Sequence, residues 1–177
     1  MTMAKFRLAA AAAALVAFTA PAAAQEATSK LPGGASSLQE TYEAWSLACQ
    51  GMPQTVCAIS QQQVQQNGQR VLAIELKREA DGALTGTLVL PVGLSLDAGA
   101  TLQIDAAAPQ PPLRFSTCLP GGCLVPLTFN GEAVAALRAG KALKINVQGM
   151  DKKEVGLSVA LKGLAAALDG LEVLAGA

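Results

Sequence analysis

The chain has 177 residues, thirteen basic and thirteen acidic residues, no histidine, and a hydrophobic fraction of 51%. The absence of histidine excludes a Ser-His-Asp triad, a Cys-His pair and any histidine-based zinc site. A balanced charge argues against the basic surface that nucleic acid requires, so no nucleic-acid partner is expected.

The first 24 residues have the three parts of a cleavable export signal. Lys5 and Arg7 give a positive start, residues 8–18 form an uncharged apolar stretch, and an alanine-rich segment follows. About eleven apolar residues are too few to cross a bilayer as a helix. We therefore expect cleavage between Ala24 and Gln25, and a mature chain in the periplasm, associated with the outer membrane, or secreted. The alternatives are a buried alanine-rich helix and an uncleaved anchor.

Removal of that segment leaves 153 residues with thirteen acidic and eleven basic side chains, which is a net charge of −2. This length suits one domain with a sizeable core. No later apolar stretch reaches 18 residues, so no transmembrane segment is expected after cleavage. Residues 25–40 are small and polar, and we interpret them as a flexible leader before a single β-sandwich domain at residues 41–177.

From residue 42 onward, short alternating segments are separated by turn residues, a pattern typical of antiparallel strands. Residues 42–49 predict a first strand that contains Trp45. Residues 70–78 alternate cleanly, and Asp81-Gly82 then predicts a hairpin turn. Further strands are predicted at residues 55–62, 83–92, 101–104, 113–118, 123–129, 141–147 and 155–161.

Two segments show helical rather than strand features. Asn130 precedes a short helix predicted at residues 132–138, and Gly140 provides its stop. Residues 163–174 carry leucines at helical spacing and predict a terminal helix that docks on the sheet rather than lying on a membrane. Many short strands with few helices indicate an all-β sandwich or barrel.

Four cysteines remain after cleavage, and an even number in an exported chain implies disulfides. Three pairings are possible. We favour Cys49–Cys57 and Cys118–Cys123, because the members of each pair are near in sequence and flank a turn. A four-cysteine zinc site fits the spacing poorly. A redox site of the Cys-x-x-Cys type is absent.

Other candidate chemistry is sparse. Ser158 and Lys162 are four residues apart, but a Ser/Lys dyad usually has Ser-x-x-Lys spacing. The acidic residues are scattered without a pair that sequence places in one pocket, and both Gly-Gly pairs are interpreted as turns. We therefore expect no catalytic residue, no cofactor and no metal site.

Six short motifs, in order along residues 42–171, carry a family resemblance. The motifs are Trp45-x3-Cys49, Cys57 with Ile59 and Gln61, LVLPVG at 88–93, LQID at 102–105, Phe115-x2-Cys118-x3-Gly122-Cys123, and LKGL at 161–164. In this order and spacing the chain resembles the invasion-associated locus B proteins of alphaproteobacteria. Two positions depart from the family pattern: Leu164 replaces an aromatic residue, and Val125-Pro126 replaces a small one.

The resemblance implies an immunoglobulin-like antiparallel β-sandwich, export to the periplasm or cell envelope, and a role that in some members is linked to host-cell invasion. It implies no established catalytic site. Our leading hypothesis is a non-enzymatic exported envelope protein that binds an unknown envelope or host protein, or an envelope component. The alternative is a periplasmic small-ligand-binding protein, and an enzyme of unfamiliar type is a third possibility.

Overall fold

The protein is described by a computed structural model over residues 29–175. Ten antiparallel strands and two helices surround one core. The strands are β1 (Ser37–Tyr42), β2 (Trp45–Gln50), β3 (Val56–Val64), β4 (Arg70–Arg78), β5 (Leu84–Leu90), β6 (Thr101–Ile104), β7 (Thr117–Leu119), β8 (Gly122–Phe129), β9 (Ala142–Gln148) and β10 (Glu154–Ala160), and the helices are α1 (Gly131–Ala139) and α2 (Leu164–Ala175).

The strands form two sheets that face each other. Seven strands pair in the order β1-β2-β3-β4-β5-β8-β7, and three pair in the order β10-β9-β6. Alternate side chains of both sheets are buried, as expected for strands with one face toward a core. The predicted antiparallel β-sandwich, with one short internal helix and a C-terminal helix, is confirmed. The buried positions of the central strands include Leu47, Ile59, Leu72, Ile74, Leu76, Leu88, Val125, Leu127, Leu143 and Ile145.

The structure differs from the prediction of a flexible leader at residues 25–40. Within the described part of that segment, Leu31 is 2% exposed and β1 pairs with β2 along its whole length. The predicted first strand at residues 42–49 is also divided, since Tyr42 ends β1 and Trp45 begins β2. Glu43 has a φ of 56° in the two-residue turn between them. Glycine usually occupies such a position, so the turn has no glycine signal in the sequence.

Both helices lie where the sequence predicts them. The Asn130 side chain accepts a hydrogen bond of 2.9 Å from the Ala133 backbone N–H, so it caps α1. Helix α2 packs on β1, β2, β3 and β4 and against α1. The leucine stripe of α2 faces the core, as expected, because Leu164, Leu168 and Leu171 are fully buried.

Gly163 fixes the junction between β10 and α2. Its φ of +90° is unfavourable for other residues, and a Cβ there would overlap with the Tyr42 carbonyl oxygen. Next to it, Lys162 Nζ lies 3.1 Å from Glu43 Oε1. The start of α2 is therefore held against the β1–β2 turn by backbone contact and an exposed ion pair.

Candidate functional site

The two favoured cysteine pairs are the two that the structure brings together. Cys49 and Cys57 face each other across β2 and β3, and Cys118 and Cys123 face each other across β7 and β8, with sulfur atoms at bonding distance in both pairs. No cysteine is left free. All four sulfurs therefore belong to cross-strand links.

A partly buried polar cluster joins the two sheets at the edge strand β10. Trp45 Nε1 and Gln61 Nε2 both donate to the Ala160 carbonyl oxygen, at 3.0 and 2.9 Å. Gln63 Nε2 donates to the Ser158 carbonyl oxygen at 2.6 Å. These bonds satisfy carbonyl groups on the free edge of β10, so the cluster is best explained as a structural tie.

The sequence candidates for a Ser/Lys dyad are not arranged as one. Lys162 is directed to Glu43, and its side chain is largely exposed. Ser158 is likewise exposed, and its carbonyl group serves the sheet tie described above. The structure therefore offers no activated serine at this position.

The perturbed carboxyl groups are explained by local structure. Asp105 accepts hydrogen bonds from the backbone N–H groups of Lys141 and Ala142, and these bonds hold its pKa below the usual aspartate value. Asp151 has a lowered pKa because Lys153 donates to it from its side chain and its backbone. Both groups fasten turns. Across residues 29–175, no three His, Cys, Asp or Glu residues are grouped as a metal site would need.

Two open depressions have volumes within the lower range of small-ligand sites. One, of about 420 Å³, lies on the outer face of the large sheet between Gln62, Arg70 and Thr87. The other, of about 350 Å³, lies between Ile104 and the first turns of α1. Four alanines line much of the second, and Gln110, Asn130 and Glu132 provide its polar atoms.

Exposed apolar side chains concentrate at one end of the sandwich. Nine large hydrophobic side chains are exposed in the described residues, and six of them lie on the loops and strand ends of this end. A group of this kind typically marks an interaction surface. We call it the apolar end; it consists of Val64, Val92, Leu96, Leu119, Met150 and Val155.

Contacts between successive loops bring the apolar end together. Arg70, opposite Val64, donates a hydrogen bond to the Gly121 carbonyl oxygen in the β7–β8 turn. Gly122 of that turn packs against the Leu90 backbone, two residues before Val92. The Met150 backbone N–H then donates to the Gly93 carbonyl oxygen at 3.1 Å. Four chain segments therefore meet at one surface.

The apolar end carries no net charge. Asp151 and Lys153 form an exposed ion pair at 2.9 Å, immediately beside Met150, whose side chain is 78% exposed. Three basic residues on the participating segments are balanced by three acidic ones. They are Arg70, Lys152 and Lys153 against Asp97, Asp151 and Glu154.

Comparison with known proteins gives the family. The model of the invasion associated locus B (IalB) protein family matches residues 45–172. This chain belongs to the IalB family. The match includes all four cysteines and the complete tie at β10. The resemblance inferred from the sequence motifs is therefore confirmed.

Individual IalB relatives agree along most of the chain. An invasion protein B homolog of Brucella abortus is 44% identical over 160 residues, covering 89% of this chain and 92% of the relative. Invasion protein B of Bartonella bacilliformis is 34% identical over 129 residues, covering 72% of this chain and 69% of the relative. The crystal structure of invasion associated protein B from Bartonella henselae has a TM-score of 0.74 at 35% identity, covering 79% of this chain and 99% of that one.

The family motifs in this IalB protein fall mainly on buried positions. Trp45, Gln61 and Gly163 belong to the sheet tie and the helix junction, and both cysteine pairs join neighbouring strands. The motifs therefore explain how the fold is held. The apolar end is the feature that sequence reasoning missed, because its residues are scattered along the chain and gather only in the folded protein.

Proposed function

We propose that this IalB protein is a non-enzymatic, exported envelope protein that binds a protein partner of the envelope or of a host cell through its apolar end. The observation that carries the proposal is that six of the nine exposed large apolar side chains in the described residues lie at one end of the sandwich. Burial of such a patch on binding is favourable at about 25 cal/mol per Å² of apolar area.

The charge at the apolar end favours a protein partner over a lipid surface. Helices and loops that lie on anionic membranes combine apolar tips with an excess of basic residues. Here the acidic and basic residues balance, and Lys153 is paired with Asp151. Exposed apolar side chains surrounded by balanced, hydrated charges resemble the apolar centre and polar rim of protein interfaces.

Export is supported by the sequence pattern of residues 1–24 and by two disulfides, which persist in oxidising compartments. The predicted cleavage site lies outside the described residues. No helix within residues 29–175 has the length and apolar character to cross a membrane. Mass measurement of the protein recovered from a periplasmic extract tests export, with a mature chain beginning at Gln25 as the expected result. A chain that keeps its first 24 residues would contradict it.

The named relatives are invasion proteins. Those names are compatible with a protein-binding role, while the proposed binding surface and envelope location rest on the apolar end and on residues 1–24 of this chain. A small-ligand-binding role is the second candidate, and the depression beside α1 is the observation that favours it. Thermal unfolding with a panel of envelope metabolites tests that role, and a panel without any shift in melting temperature would contradict it.

Site-directed photo-crosslinking tests the leading proposal. A photoreactive phenylalanine derivative is placed at Met150 or Leu119, and at Val173 as a matched exposed control, 72% exposed on α2 away from the apolar end. In intact cells, we expect a defined adduct from the first two positions and not from the third. Adducts from Val173 alone, or equal adducts from all three, would contradict a partner at the apolar end.

A further inference from the structure

The two disulfides have closely similar pairing but different surroundings. Each joins residues directly opposite one another in neighbouring antiparallel strands. Cys49 and Cys57 are 2% and 5% exposed, and their strands are flanked by β1 and β4. This first pair is therefore enclosed on both sides by the sheet.

The second pair lies at the rim of the large sheet. Strand β7 is its terminal strand, has three residues, and all three are exposed. Cys118 is among them, whereas its partner Cys123 on β8 is 2% exposed. The two residues of this disulfide thus differ in exposure, so the side of Cys118 is the one open to a reagent.

We propose that Cys118–Cys123 is a thiol–disulfide exchange site, at which an external thiol forms a mixed disulfide with Cys118. The attacking thiolate forms a new S–S bond to Cys118 Sγ while the bond to Cys123 breaks. The electron pair leaves with Cys123, which takes a proton from solvent. One disulfide is exchanged for another, so no separate oxidant or reductant is consumed.

The hairpin can accept this change without disturbing the core. Strand β7 contributes no buried side chain, and outside the disulfide it is held to β8 by backbone pairing of Thr117 with Leu124 and Leu119 with Gly122. Cys123 remains buried as a thiol, and a free cysteine packs as a small apolar residue. A reagent could instead reach Cys49–Cys57 only if the interior strands β2 and β3 moved, because both cysteines are buried.

The exposure of Cys118 determines which class of thiol can react with it. A small thiol of the glutathione type, or an exposed cysteine thiol on a protein, can reach Cys118. The inference goes beyond the proposed docking function and does not depend on it, because exchange requires only an accessible sulfur and a thiolate. Leu119 of the apolar end is adjacent to Cys118, so a docked partner that carries a thiol would be close to the reactive sulfur.

Reduction kinetics of the native mature protein test the inference. The oxidised protein is incubated with reduced glutathione without denaturant, new thiols are alkylated at intervals, and peptides are mapped by mass spectrometry. We expect Cys118–Cys123 to open at least about tenfold faster than Cys49–Cys57. The glutathione adduct should be on Cys118, and circular dichroism should stay unchanged. Equal opening of both pairs, or opening only as the native spectrum is lost, would overturn the proposal.

A single variant provides a second readout. Cys123→Ser leaves Cys118 without its partner, and an aromatic disulfide reagent then reports its accessibility. We expect the native variant to react within about tenfold of its rate in denaturant, because the strand is exposed. A reaction more than about tenfold slower than in denaturant would overturn the exchange site. A protein thiol and a small thiol are distinguished by repeating the wild-type assay with a reduced dithiol oxidoreductase in place of glutathione.

Discussion

The indole Nε1 of Trp45 donates a hydrogen bond of 3.0 Å to the carbonyl oxygen of Ala160, and this contact joins the first hairpin to the edge of the small sheet. The same oxygen accepts from Gln61 Nε2 at 2.9 Å. Two donors from the large sheet therefore hydrogen-bond to one carbonyl oxygen of β10. Within the described structure, no strand pairs with this edge of β10. The relationship explains why a buried glutamine lies in an otherwise apolar core.

Trp45→Phe should destabilise the fold by about 2–4 kcal/mol, because it removes one donor and leaves a cavity beside a fully buried site. Urea unfolding followed by circular dichroism measures the change. Gln62→Ala is the matched control, since Gln62 is exposed on the opposite face of β3, and its effect should stay within about 0.5 kcal/mol. Equal effects of the two variants would contradict the structural tie.

Gly163→Ala should cost about 2–4 kcal/mol, because the backbone has a φ of +90° and a new Cβ would meet the Tyr42 carbonyl oxygen. Gly131→Ala provides the control, as a Cβ at the start of α1 would point into open space. We expect that control to be neutral or slightly stabilising. The unfolding midpoints in urea separate the two cases, and a neutral Gly163→Ala would contradict the described junction.

Removal of the two disulfides should have unequal effects. Loop closure alone accounts for about 2.6 kcal/mol for the nine-residue loop and about 2.2 kcal/mol for the six-residue loop. Replacement of Cys49 and Cys57 by alanine also removes buried sulfur atoms from the core, so that double variant should lose about 3–5 kcal/mol. The Cys118/Cys123 double variant should lose about 2 kcal/mol. A reversal of this order in urea unfolding would show that the surroundings of the two pairs are misassigned.

Asp105→Asn should destabilise the protein at neutral pH by an amount that shrinks in acid. Backbone N–H bonds from Lys141 and Ala142 lower the pKa of Asp105 from its ordinary value of 3.8. Because the folded-state pKa is lowered, the contribution of the carboxylate to stability is fully present above the ordinary value of 3.8 and is lost as pH falls through the folded-state pKa. Urea midpoints of both proteins between neutral pH and about pH 2.5 measure this. A difference that does not change with pH would contradict the carboxylate's role.

Regular alternation made much of the sandwich predictable from sequence. Strand β4 has the bounds that its pattern predicts, because its alternating Leu72, Ile74 and Leu76 are all buried on one face. The α1 cap was also predictable, since a short polar side chain just before a helix can accept from one of the free N–H groups of its first turn. These elements depend on local interactions, so the sequence of each segment is enough to predict them.

The edge of the large sheet was harder to predict. Strand β1 has the sequence SLQETY, which shows no alternation of apolar and polar residues. As the edge strand of the large sheet, β1 has no fully buried side chain. Its turn at Glu43 takes a positive φ without a glycine or asparagine signal. The apolar end was not predictable either, because Val64, Leu119 and Met150 come to the same end of the sandwich only through the pairing of distant strands.

If a protein partner binds at the apolar end, charge introduced there should abolish capture of that partner. The full-length protein carries the photoreactive residue at Leu119, alone or together with Val92→Asp and Met150→Asp. A third protein carries Val173→Asp as an equally exposed control on α2. We expect the double substitution to reduce the crosslinked adduct at least about fivefold while the unfolding midpoint and the Val173→Asp adduct stay unchanged. Undiminished capture by the folded double variant would contradict a partner site at the apolar end.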